Sequence, residues 1–192
     1  MRKFVIISIL SAYSMVCLSA FAQTATGRGP STPEERKRFL AIAHKFEQNP
    51  LDKSLWPEEK WALQWVQDIP DITVTPCPPL LTGPQSASQS DSRRPQEDLL
   101  ADYKYAHQLA VATVFGNVAF MIDHPDKALD NTAGFTAGVE SALRAYKAIL
   151  KAEPLAKSRT MDDLLQKQSQ GKLVDAVREA GKDCVEDQQA RF

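Results

Sequence analysis

Residues 109–122 read LAVATVFGNVAFMI, apolar on nearly every side of a helix. A helix without a polar face has to be surrounded by other elements. The run of 14 residues is also shorter than the 18 or so that a membrane span needs. It predicts the central buried helix of a bundle, and the rest of the chain has to supply its neighbours.

Hydrophobic spacing supplies them. In STPEERKRFLAIAHKFEQNP, Thr32 is placed to cap a helix, Pro33 suits its first turn, and Glu34 and Glu35 complement its dipole. Phe39, Ile42, Ala43 and Phe46 then share one face, and Asn49-Pro50 stops the helix. WPEEKWALQWVQDIP predicts a second helix between Pro57 and Pro70. After the central run, Leu129, Thr132, Thr136, Val139, Leu143, Tyr146 and Leu150 recur at spacings of three and four, a seam for another helix. Gly134 and Gly138 sit one turn apart beside that seam, matched by Ala106, Ala110 and Thr113 before them, which predicts close helix approach. TMDDLLQKQSQ, capped by Thr160, and GKLVDAVREAGKDCVED complete the chain. ITVTP is extended but has no strand partner. The expected fold is all-α, a small domain of about five to six helices.

Ten of the 12 prolines fall between Pro30 and Pro95. The expected organisation is a proline-punctuated helical segment over 23–81, a flexible linker over 82–96, and a helical bundle core over 97–192. Residues 23–192 together make one folded domain, with the proline-rich part strapped onto the bundle. Residues 1–22 read as a cleaved signal peptide: Arg2 and Lys3, an apolar stretch over 4–16, and Ala20-Phe21-Ala22 before Gln23. An uncleaved N-terminal membrane anchor is the alternative. Cleavage leaves 170 residues and moves the formal charge from −1 to −3. With no basic face, nucleic acid is a poor partner. No second long apolar run exists, so the mature chain carries no transmembrane segment.

Chemistry-bearing residues are sparse. His44, His107 and His124 lack the close pairing of a zinc site. Asp123, His124 and Asp126 form the best polar group, and the dipole at a helix end explains His124 as well as a ligand role does. His44 and His107 read as surface or boundary residues. Trp56, Trp61 and Trp65 lie close together. They offer a stacking platform for a sugar or a partner's side chain, or a satellite core beneath the first part's loops, which burial favours. Asn117 interrupts the most apolar helix, either fixing its register or lining a small pocket. No nucleophile elbow, phosphate loop or dinucleotide fingerprint is present. No catalytic residue, metal or cofactor is expected. The function these features suggest is binding of a protein or cell-envelope component. A small periplasmic hydrolase using His124, or a small-ligand binder near Asn117 and the tryptophans, are the alternatives.

Cysteine placement is the most specific signal. Loss of Cys17 with the leader leaves Cys77 and Cys184. An oxidising compartment and an even count favour a bridge between them. Cys184 is in phase with Leu173, Val177 and Ala180, and Pro78 holds Cys77 extended. The bridge would tie the proline-punctuated part to the last helix, so its reduction is expected to loosen residues 33–81 from the core.

Overall fold

Helix α1 (Pro33–Gln48) starts at a reciprocal cap: Thr32 Oγ1 accepts from the Glu35 N–H, and the Glu35 carboxylate accepts from the Thr32 N–H. It ends where the Asn49 N–H turns back to Lys45 and Phe46. Its buried face is Phe39, Ile42, Ala43 and Phe46, as the spacing predicts. These observations come from a computed structural model that describes residues 28–75, 77, 79–82 and 103–189. The expected leader over 1–22, most of the expected linker over 82–96 and residues 97–102 lie outside the described residues.

A short 3-10 turn, Lys53–Leu55, leads into α2 (Trp56–Asp68). After α2 the chain buries Ile69 and Ile72 and has no regular secondary structure over 72–75. The single turn α3 (Pro79–Thr82), which the sequence reading did not foresee, pushes Leu80 and Leu81 into the core. Helix α4 (Ala106–Asp123) and α5 (Asn131–Ala152) follow, joined by a 3-10 turn at Pro125–Lys127. The chain then forms α6 (Arg159–Ser169) and α7 (Leu173–Gln189). Between them, Gly171 at φ 71° makes a left-handed C-cap, with Lys172 N–H bonded to Lys167 O and Gly171 N–H to Gln168 O. The fold is all-α, six longer helices and one single-turn helix among the described residues.

The α4–α5 pair is the centre, and glycines bring the two helices together. A methyl added at Gly138 would lie 2.7 Å from Thr113 O, and one at Gly116 2.4 Å from Ser141 Cβ. One at Gly134 would lie 2.8 Å from Asn117 Oδ1. As the α4 numbers rise the α5 numbers fall, so the helices run antiparallel. The approach expected of Gly134 and Gly138 is present, but Ala110 is exposed and Gly116 takes the place assigned to it.

Helix α5 has the widest buried face, because α1, α4, α6 and α7 all pack on it. Helix α4 is less enclosed than its sequence suggests: Val114, Phe120, Met121 and Ile122 are only half-buried. Leu129 does not join the α5 seam. Asp130 caps the helix after it, through the Ala133 N–H, and leaves Leu129 in the loop, 95% exposed. Ser158, not Thr160, caps α6, because the Tyr146 hydroxyl accepts from the Ser158 N–H at 2.8 Å and fixes the chain there.

The proline-punctuated part rests on this bundle by packing as well as by its bridge. Phe39 meets Phe115 at 5.3 Å and Trp65 at 5.0 Å, and Phe46 meets Phe115 at 5.5 Å. One continuous cluster runs from Phe39 to Ala180. Cys77 and Cys184 form the disulfide, S–S 2.07 Å, and join the strap to α7.

Candidate functional site: the cleft between α2 and α4

The buried phase of α2 runs through Glu59, Ala62 and Trp65. A carboxylate on that phase needs a partner, since burial without one is costly. Its partner comes from α4: His107 Nε2 lies 2.8 Å from Glu59 Oε1. The Glu59 side chain is 12% exposed and that of His107 67%, so the pair reaches from the core edge to solvent. Toward an ionised carboxylate, which only accepts, Nε2 carries the proton.

His107 stands there because the start of α4 is anchored. The Ala106 N–H bonds to Tyr103 O, and the Tyr103 hydroxyl donates to Ala156 O at 2.8 Å. Burial, first, and the neighbouring Tyr146 raise the Tyr103 pKa well above the usual phenol range, which keeps that hydroxyl a donor.

Around the Glu59–His107 pair lies an open cleft of about 400 Å³. Trp56 stands at its rim, 61% exposed. Leu63 gives it an apolar floor; Lys60, Gln67 and Gln108 border it. Among the described residues these three side chains make no hydrogen bond or ion pair, and Glu59 Oε2 accepts none. Gln64, also at the border, is already bonded to Asp68 at 2.9 Å. The cleft thus combines an aromatic side chain with donors and acceptors that no other described residue uses.

The three tryptophans have separate fates. Trp65 is core, 1% exposed. Trp61 stacks on it at 5.9 Å and carries the Arg38 guanidinium 3.8 Å above its ring. Only Trp56 is free, so the satellite-core reading holds for two of the three. Asn117 is not near them. It is buried between α4 and α5 against Gly134, its Oδ1 without a hydrogen bond, so no pocket unites it with the tryptophans. His124 is the C-cap of α4, exposed, with its ring 4.9 Å from Phe120. Among the described residues no group of three or more His, Cys, Asp or Glu is placed to hold a metal ion. His44 is exposed on α1 beside Gln48.

Sequence reading passed over Glu59, Lys60, Gln67 and Gln108, and placed His107 at the surface or boundary, where it lies, without assigning it a partner. The one available signal was a glutamate in phase with Ala62 and Trp65, which resembled an ordinary first-turn carboxylate. No helix among the described residues is long and apolar enough to cross a membrane. Compared with protein-family models, curated proteins and solved structures, the chain matches none of them.

Proposed function

We propose that this is an exported, non-enzymatic binding protein of the cell envelope, and that the α2–α4 cleft is its binding face. Trp56 carries the reading. A large aromatic held 61% exposed on a helix forgoes burial worth about 25 cal/mol per Å². Exposed tryptophans beside unused polar groups are typical anchors of recognition. The leader-like residues 1–22 support export, and a disulfide suits the oxidising compartment to which export leads.

Two measurements test this. Protein recovered from the periplasm or medium of its own cells should have an intact mass starting at Gln23. Recovery only in membranes, with residues 1–22 attached, would reverse the export assignment. Isolated envelope should retain the mature protein, and Trp56→Ala should lose most of that retention while staying folded. Equal retention of the variant would remove the cleft from the proposal.

A further inference from the structure

Resting on the binding reading above, we infer that the cleft takes a saccharide: one ring of an envelope glycan, stacked on Trp56 and hydrogen-bonded by Glu59, Gln67 and Gln108. Four observations lead there.

The cleft, about 400 Å³, is in the size range of small-ligand sites, roughly 300–1,000 Å³. Its one aromatic side chain, Trp56, stands open to solvent at the start of α2. An indole face matches the C–H face of a sugar ring, flat and apolar while the ring's rim is polar.

The unused polar groups suit hydroxyls. Glu59 Oε2 accepts only, Lys60 donates only, and the amides of Gln67 and Gln108 do both. A sugar hydroxyl donates one hydrogen bond and accepts others, so neighbouring hydroxyls satisfy such a mixed set. A purely donating or purely accepting ligand would leave part of it unpaired.

Charge narrows the class. Glu59 and Lys60 oppose each other, and His107 is tied to Glu59. A cationic ligand would meet Lys60, and an anionic one would meet the Glu59 carboxylate. A neutral, hydroxyl-rich ligand meets neither penalty.

The His107 contact also positions the carboxylate. With Oε1 held by His107 Nε2, Oε2 is the oxygen left to face the cleft. His107 is therefore a positioning residue rather than the main contact.

The test is a titration of the mature protein with tetra-N-acetylchitotetraose and, separately, maltotetraose, followed by NMR at the Trp56 indole N–H and by calorimetry. The indole signal is assigned by its absence in Trp56→Ala. At least one oligosaccharide should shift it saturably. Trp56→Ala should lower the affinity tenfold or more, and Glu59→Gln severalfold. His107→Gln, which retains a donor, should weaken binding less than His107→Ala. Should Trp56→Ala not fold, the doubly substituted Gln67→Ala, Gln108→Ala protein supplies the same comparison. Absence of any saturable shift with both sugars overturns the inference, as does undiminished binding in Trp56→Ala. Retention on isolated envelope separates the two claims. Trp56-dependent retention that neither oligosaccharide competes away removes the sugar and leaves the binding reading standing. Absence of retention together with absence of any shift removes both.

Discussion

Gly116 and Gly138 show how little room separates α4 from α5. A methyl at Gly116 would meet Ala137 O at 2.7 Å, and one at Gly138 would meet Thr113 O at 2.7 Å. Both contacts are to backbone, which cannot swing aside. Alanine gains about 1 kcal/mol in helix propensity, and overpacking a core costs about 1–3 kcal/mol. With a backbone oxygen only 2.7 Å away the overpacking cost lies toward the upper end, so Gly116→Ala and Gly138→Ala should each destabilise, by up to about 2 kcal/mol net, in urea denaturation. Neutral or stabilised variants would mean that the helices stand further apart. Asn117 gives the opposite expectation. Its Oδ1 is buried without a hydrogen bond, a condition that costs about 1–3 kcal/mol. Asn117→Ala should accordingly lose less than about 1 kcal/mol, far below the usual loss for a core leucine such as Leu109→Ala, about 2–5 kcal/mol.

At the scale of elements, one tie closes the first part on itself and another holds it to the rest. One is the Asp71 carboxylate, which accepts from the Ser31 N–H at 2.8 Å, the Ser31 hydroxyl at 2.7 Å and Arg36 at 2.8 Å. Burial pushes the Asp71 pKa up, but the Ser31 and Arg36 hydrogen bonds outweigh it and hold the group below its ordinary 3.8. A lowered folded pKa means that this stabilisation is present above pH 3.8 and is lost as pH falls through the lower folded value. Asp71→Asn should cost about 1 kcal/mol after allowance for partial exposure. The difference between variant and wild type should shrink in acid below that range. The other tie is the bridge. Cys77 and Cys184 stand 107 residues apart, and closing a loop of about 100 residues is worth up to about 4.7 kcal/mol in the chain-entropy model. Phe39, Phe46 and Trp65 pack into the shared core, so reduction is expected to loosen less than the whole of residues 33–81. Hydrogen exchange after reduction should rise first over residues 73–82 and the last turns of α7, with α1 still protected. Simultaneous loss of protection in α1 would show that the bridge, not packing, holds it.

For the whole molecule, one core implies one unfolding event. Phe115 touches both Phe39 and Phe46 while sitting on α4. Phe115→Ala should therefore destabilise by about 3–5 kcal/mol and keep a single transition by fluorescence and circular dichroism. Two separated transitions would divide the proline-punctuated part from the bundle. Trp56→Ala should leave the unfolding midpoint nearly unchanged, within about 0.5 kcal/mol, as for a surface position. That separation of stability from binding is what makes Trp56 a useful probe of the cleft.

The sequence by itself determined the six longer helices, most of their buried faces and the cysteine pair. Periodicity and caps are local: Thr32 with Glu35, or Phe39 through Phe46, needs only a few neighbours to be legible. The cysteines were legible because, with Cys17 assigned to an expected leader, Cys77 and Cys184 are the two left to pair. Tertiary structure alone decided the rest. Whether Trp56, Trp61 or Trp65 is free depends on which side of α2 rests against α1 and which faces out, and one tryptophan reads like another in the chain. The position of the α6 cap was set by the Tyr146 hydroxyl, 12 residues before Ser158. Above all, the cleft depends on Glu59 and His107, 48 residues apart, meeting across two helices. Each looks like an ordinary helix residue until packing closes the distance, because a contact between distant elements leaves no mark in the spacing of either.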